Sequence, residues 1–506
     1  RSRRAVDRQR TAPAWLIVAA LLEGMFLVLL FASAEFEYGE RHTSRPIIEV
    51  VHLLRVASLL HAVAVLLVWR FRPSLGFVLF MSVIFRLTLI NSKPIQESDF
   101  YRYIWDGKVV ARGLDPYRYS PNEIRAFAEC RAGLRSRRPE WSEDDLEVLG
   151  KLANLRRASE SNEVIFGRIN HPHLATIYPL SAQGVFAMTS YLTDDSWSVY
   201  AHTVVLRAVI ILFDLSTLVA LVFLLRAMKL PAALAMAYGW SPLVIKEFAG
   251  TGHVDAVAGF FLVLALLVAV RGRPILTGIA VAFAVLAKLY ALVVAPFVII
   301  LLLRSSRDSN APTWHWLRGG VGVATVTVIL GTTWWIYPES REVRSTVLRT
   351  FLENWENHDA IFLWIRTVIN PGTTQDGQFD SMARATVAIL FSMVVLYHFV
   401  REIHERVSSR APLECDRETL GRVFSVLAAL FLLSPVGFPW YFTWCVPLLP
   451  FARRQCWYFL PGFLTTYYLF FWFHYWSVDL QRQGFTAGVD FHHDVLVSCE
   501  FALFFL

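Results

Sequence analysis

The sequence predicts an all-α protein: a polytopic transmembrane helical bundle that carries one large polar loop early in the chain. Two observations set the class. The 506 residues are 55% hydrophobic and 14% aromatic, with a mean hydropathy of +0.45. The apolar residues fall in blocks of roughly 15 to 25, the length a helix needs to cross a bilayer. A third observation bears on organisation, because the charged residues sit between the blocks and the unusual polar ones gather towards one side.

The formal net charge of +7 does not indicate a nucleic-acid partner. The bases come in short clusters between apolar blocks, where Lys and Arg act as topological anchors on the cytoplasmic side. The five cysteines, Cys130, Cys415, Cys445, Cys456 and Cys499, have neither metal-ligand spacing nor the density of a disulfide scaffold.

The elements follow in order. Arg1, Arg3, Arg4, Arg8 and Arg10 precede an apolar block from Ala14 to Ala34, too long for a signal-peptide core and read as a retained helix with its basic end inside. A second span, Ile47 to Trp69, ends at Arg70 and Arg72, and a third, Leu75 to Ile90, delivers the chain to the outer face. Residues 91–200 then read as an extracytoplasmic loop with interfacial helices, because the charged middle from Arg131 to Asp145 is too polar for lipid. His202 to Leu225, Pro231 to Ile245 and the block from Ala256 obey the positive-inside rule in turn. Ile275 to Leu303 has basic residues at both ends and is too short for two spans, so a broken hairpin with Lys288 at its outer tip is expected. Leu317 to Tyr337 rises to a second extracytoplasmic loop, 338–380, and Met382 to Val400, Val423 to Leu433, Tyr441 to Phe451, Tyr458 to Phe473 and Val495 to Leu506 complete the bundle. The whole of 1–506 reads as a single membrane domain of about a dozen spans.

The stretch Q-E-S-D-F-Y-R-Y-I-W-D-G-K-V-V-A-R-G-L-D-P-Y-R-Y-S, Gln96 to Ser120, is the expected chemical centre. Unpaired carboxylates beside the end of a spanning helix are costly, so Glu97, Asp99 and Asp106 there imply use. His171, His173, Lys246, Glu247, His253, Asp255, Lys288, Glu356 and His358 are expected near the same face.

S-D-F-Y-R-Y-I-W-D-G, G-L-D-P-Y-R-Y, N-H-P-H-L-A-T-I-Y-P-L-S-A-Q, E-F-A-G-T-G-H-V-D, A-K-L-Y-A-L and S-P-V-G-F-P-W-Y together resemble the GT-C superfamily, most of all its bacterial mannosyltransferase-like members. These are polytopic glycosyltransferases that use polyprenyl-phosphate sugars. The resemblance spans about Ser98 to Tyr441 and implies an acid early in the first large outer loop that acts as general base on an acceptor hydroxyl. By position that is Asp99, with Glu97 as its nearest competitor. Pro179 is followed by Leu180 where the family often has a second proline, and three helices precede the acid where other members have one.

Sugar transfer from a lipid phosphate needs a base for the acceptor and a cation for the departing phosphate. Asp99 supplies the first, and Lys288 or Arg102 the second. Tyr101, Tyr103, Trp105, Tyr117, Tyr178 and Trp440 are candidates to stack on sugar rings, with Asp106, His171, His173, His253 and Asp255 as polar substrate contacts. No metal and no other cofactor is expected. The partners are then a polyprenyl-phosphate sugar donor, an extracytoplasmic glycan, lipid or protein acceptor, and membrane lipid, with the enzyme in the cell membrane.

Each assignment has a plainer counterpart. Asp99 also fits a helix cap or an ion pair with Arg102; Lys288 fits a snorkelling anchor. His171 and His173, alternate around Pro172, suit hydrogen bonding better than metal ligation, and the aromatics also suit an interfacial belt. Arg86, inside an apolar block, has either an acid partner or a snorkelling role. At the level of function the alternatives are a secondary transporter, which would carry charges in its helix centres, and a non-catalytic assembly or flippase-like partner, which would tolerate loss of Asp99.

Overall fold

The computed structural model describes residues 2–39, 42–129, 141–304, 313–369, 377–407, 412–485 and 488–505. Cys130 and the arginines from Arg131 to Arg138 lie outside the described residues. Among those described the chain is a helical bundle without strands, save for an isolated bridge between Asn357 and Val436.

The N-terminal part begins with α1 (Ser2–Ala32), α2 (Ile47–Val68) and α3 (Leu75–Leu89). A polar lobe follows, built from α4 (Asp99–Ala111), α5 (Pro121–Glu129), α6 (Glu143–Arg157), α7 (Glu160–Gly167) and α8 (Leu180–Tyr191). Helix α6 starts where the sequence signals it, with a capping box in which Ser142 and Asp145 satisfy each other's backbone N–H groups. Helices α4 and α8 touch backbone to backbone at Gly107, where a Cβ would stand 2.2 Å from the Phe186 carbonyl oxygen. Only glycine admits that approach, and it brings the Tyr103 and Phe186 rings into a stack 4.6 Å apart.

Beyond the lobe lie α9 (Val199–Ala227), α10 (Asp255–Val270), α11 (Pro274–Ala287) and α12 (Ala295–Arg304). They are followed by α13 (Thr313–Thr333), α14 (Arg341–Asn354), α15 (Ala360–Ile369), α16 (Gly377–Val407), α17 (Pro412–Leu433) and α18 (Ser498–Phe505). Ala12–Phe36, Ile47–Val68, Val199–Ala227 and Asp380–Glu405 are each long and apolar enough to cross a bilayer. The first and last of these bury little of themselves against protein and leave Ile17, Phe31, Ile389 and Met393 exposed. Such faces suit contact with lipid tails.

Several expected spans are not continuous helices. Pro231 to Ile245, Tyr441 to Phe451 and Tyr458 to Phe473 are strings of short helical turns. Pro242, Pro447, Pro450 and Pro461 explain this, because proline lacks a backbone donor and a helix cannot run on through it unbroken. Where the expected break at Lys288 is concerned, α11 stops at Ala287, Lys288 is extended (φ −153°, ψ 135°), and a 3₁₀ turn Leu289–Val294 leads into α12. Leu317–Thr333 and Pro338–Asn354 form a pair bent by 90°.

Arg86 has an acid partner, on a helix distant from it in the chain. Its Nε donates to Asp214 Oδ2 at 2.5 Å and its Nη2 to Oδ1 at 3.0 Å, while Nη1 reaches the carbonyls of Ser82 and Gly239. Both side chains are fully buried, and the forked geometry with extra acceptors is what makes such a pair tolerable.

Candidate active site

A cavity of about 950 Å³ opens where the polar lobe meets the broken helices. Gln96, Glu97, Asp99 and Arg102 form one side, and Asn170, His171 and Tyr178 stand next to them. Lys288, Tyr290, Trp440, Tyr441 and Trp444 form another, and Val347, Leu348, Phe351 and Leu352 of α14 give an apolar wall. Three backbone positions at its edge are strained: Gln96, His171 and His358 have φ of 58°, 45° and 53°. Non-glycine residues in that region cost energy and recur at functional sites.

Asp99 is the first residue of α4, in the helix's own partial positive field. Its Oδ1 accepts from Asn170 Nδ2 at 2.5 Å, and its Oδ2 from the hydroxyls of Tyr178 at 3.1 Å and Tyr103 at 3.5 Å. Three neutral donors thus fix the carboxylate's orientation without cancelling its charge. Arg102 does not pair with it. The guanidinium is buried and donates to the carbonyls of Leu174, Asn170 and His171, so it shapes the 170–174 turn that carries Asn170.

Lys288 donates to Asp255 Oδ1 at 2.7 Å and Oδ2 at 2.9 Å, and its ammonium lies 4.3 Å from the Tyr441 ring centre. An ammonium has three donors, and Asp255 takes two. Asp255 also accepts from Trp444 Nε1 at 2.6 Å. Next to this wall Trp440 is sandwiched between Phe438 and His253, with ring centres 4.4 and 4.3 Å away. His253 in turn faces Glu247 at 3.3 Å, which Lys246 contacts at 3.2 Å.

Of the residues singled out from sequence, Asp99, Glu97, Lys288, Arg102, His171, Tyr178 and Trp440 share the cavity. Asp255 and His253 support it from behind. Tyr101, Trp105, Asp106, Tyr117 and His173 are not in its lining. Tyr101 is engaged by Arg168, Trp105 packs edge-on against Phe166, and Tyr117 donates to the Tyr178 carbonyl. They lie on other faces of α4 or beyond its end, and they hold the lobe together. Asp106 is buried and accepts from Gln183 at 3.1 Å; burial pushes its carboxyl up to about 6, against the pull of Arg102 and hydrogen bonds from Thr176 and Gln183.

Asn170, Trp355, Tyr441 and Trp444 were not singled out. Asn170 directly precedes the H-P-H string, and its amide is one of the few groups there able to donate to a carboxylate without neutralising it. Trp355, whose ring lies 4.8 Å from His171, gave no signal beyond being aromatic.

Among the described residues Glu356, Asp359 and His493 are placed to hold a metal, with one ligand atom from each within 4.8 Å of the others. Their charges are already matched, since Arg366 pairs with Glu356 and His493 Nε2 lies 2.8 Å from Asp359.

Residues 180–304 match the alpha-(1->6)-mannopyranosyltransferase family over its N-terminal domain. Over these residues the chain is similar to a mannosyltransferase family. No curated protein and no solved structure matches it. This similarity supports glycosyltransferase activity, and the long apolar helices are those of a membrane protein. The matched stretch runs from α8 to α12 and contains Lys288, Asp255, His253, Glu247 and Lys246. Asp99 and Asn170 come from outside it.

Proposed function

We propose that the protein is an inverting mannosyltransferase that takes its sugar from a polyprenyl-phosphate donor and transfers it to an acceptor hydroxyl on the extracytoplasmic side of the cell membrane. The observation that carries this reading is the Asp99 carboxylate, oriented by Asn170, Tyr178 and Tyr103 in a cavity whose facing side offers Lys288 and whose α14 wall is apolar. Such a cavity accommodates a phosphate and a hydrocarbon tail together.

In this mechanism Asp99 accepts the acceptor's hydroxyl proton as the oxygen attacks the anomeric carbon. The new carbon–oxygen bond forms on one face while the bond to the donor phosphate breaks on the other. The polyprenyl phosphate leaves with the bonding electrons, and the third donor of Lys288 stabilises it. An inverting transferase needs this one base, whereas a retaining glycosidase needs a close carboxylate pair. The family's alpha-(1->6) linkage makes a primary 6-hydroxyl on a mannose-bearing glycan the first acceptor to try.

The test is transfer of labelled sugar from a panel of polyprenyl phosphates, headed by the mannosyl form, to a membrane extract. Asp99→Asn keeps the shape and removes the base, at a cost of about 10²- to 10⁴-fold in rate, while the protein stays folded and still binds the donor. Near-normal turnover by Asp99→Asn overturns the assignment. Inactivity of the wild type with every donor overturns the reading itself.

A further inference from the structure

Glu97 stands two residues before Asp99 on the same cavity wall, yet the two carboxyls have opposite surroundings. Asp99 receives three hydrogen bonds. Glu97 Oε1 is buried and has no hydrogen-bond partner. The nearby cation, Lys246, is engaged elsewhere: it contacts both oxygens of Glu247 at 3.2 Å and donates to the Tyr468 hydroxyl at 2.8 Å. Arg45, on the far side, donates to Gln96 Oε1 and the Tyr475 hydroxyl. The other groups facing Glu97 are Asp99, Glu247 and the neutral phenols of Tyr467, Tyr468 and Tyr475. Burial drives the Glu97 carboxyl well above the usual carboxylate range; Lys246 opposes this, and Asp99 and Glu247 add to it.

A donor phosphate must enter a cavity that presents both carboxyls. Two carboxylates lining one cavity would repel it, and like charges that share a site do not both persist once water is displaced. The proton belongs on the acid with the empty oxygen, because the oxygens of the other already accept three hydrogen bonds. We propose that Glu97 is a protonated carboxylic acid that donates a hydrogen bond to an oxygen of the bound donor phosphate, and is not a second base. No proton is transferred. Glu97 thereby binds the phosphate and leaves Asp99 the sole acceptor of the hydroxyl proton. This assignment of phosphate rests on the proposed function; the protonation of Glu97 does not.

The experiment pairs two readouts on the purified full-length protein. Infrared difference spectra of wild type minus Glu97→Gln, recorded across a pH series, report the protonated-carboxyl stretch of this one residue whether or not sugar is transferred. The band is expected at neutral pH and is expected to vanish only at alkaline pH; its absence at neutral pH overturns the inference even in an active enzyme. The second readout is the pH profile of transfer. Wild type should lose activity as pH rises through the Glu97 titration. Glu97→Gln, neutral and still a donor, should be several-fold slower yet lose that alkaline limb, whereas Glu97→Ala should bind unlabelled polyprenyl phosphate about 10-fold or more weakly. An alkaline limb retained in Glu97→Gln, or donor affinity unchanged in Glu97→Ala, also overturns it. Failure of transfer in the wild type with the infrared band present sinks the proposed reaction and leaves the protonated Glu97 standing.

Discussion

Lys288 and Asp255 form an ion pair 2.7 Å long at the point where α11 breaks, with Asp255 almost fully buried and Lys288 facing the cavity. The lysine therefore has two duties, to neutralise a buried acid and to present a donor to the cavity. Lys288→Met alone should destabilise the protein by about 3–5 kcal/mol, because it strands Asp255 without a counter-charge. Lys288→Met with Asp255→Asn should recover the wild-type unfolding midpoint in detergent while donor affinity stays low. If the double variant binds polyprenyl phosphate as well as wild type does, Lys288 serves stability alone.

Around Asp99, Asn170 and Tyr178 each supply one hydrogen bond, to different oxygens. Loss of either leaves the base present but less well aimed. Asn170→Ala and Tyr178→Phe should each lower kcat about 10-fold with little change in KM, since the misplaced group matters chiefly in the transition state. Steady-state kinetics of the two variants decide this. A rise in KM at constant kcat would instead make the two residues substrate contacts.

Fold class was legible in the sequence because bilayer-length apolar blocks have few other uses, and the position of Asp99 was legible because acids are rare at such places. The pairings were not. Arg86 and Asp214 are 128 residues apart, and nothing local to either says that α3 and α9 pack there. The same holds for Lys288 and Asp255, which is why Lys288 read as a free cation from sequence. The broken helices were marked by prolines, but an apolar block with two prolines still has the length of a span, and length outweighed the breaker. Tyr101, Trp105 and Tyr117 read as ring-stacking candidates because they share a string with Asp99; helix periodicity turns Tyr101 and Trp105 to other faces of the lobe, and Tyr117 lies beyond the end of α4.

The cavity's edge depends on a backbone contact that leaves no room for a side chain. Asn357 donates to the Pro435 carbonyl at 2.9 Å and accepts from Gly437 N at 2.7 Å, and a Cβ on Gly437 would stand 2.3 Å from the His358 carbonyl oxygen. Neither backbone can yield without breaking that ladder. Gly437→Ala should cost about 1–3 kcal/mol, the usual range for overpacking, and should depress transfer by displacing Trp440. Gly331→Ala, where a Cβ meets nothing within 4 Å, is the control and should be neutral or slightly stabilising. Equal unfolding midpoints for the two variants would show that the 357–437 contact yields.

Asp106 offers a test of buried charge away from the cavity. Its carboxyl titrates at about 6 in the folded protein, with burial as the main cause, against about 3.9 for an exposed aspartate. The sign follows from proton counting. Between the two values the folded state holds more protons than the unfolded one, so stability is fullest below about pH 4 and is lost as pH rises to about 6. At neutral pH the folded protein carries a buried charge that Gln183 meets with one hydrogen bond at 3.1 Å, while Gln183 Oε1 remains a buried acceptor without a partner. Asn at position 106 is neutral at every pH and has an N–H to offer such an acceptor. Asp106→Asn should therefore raise stability at pH 7 by an amount on the order of 2–3 kcal/mol at most, and flatten this part of the pH dependence. Transfer should change little, because Asp106 does not line the cavity. The measurement is chemical unfolding in detergent between pH 4 and 8 for both proteins. Parallel curves would mean that Asp106 titrates as an ordinary acid, and a loss of transfer without a loss of stability would return it to the substrate.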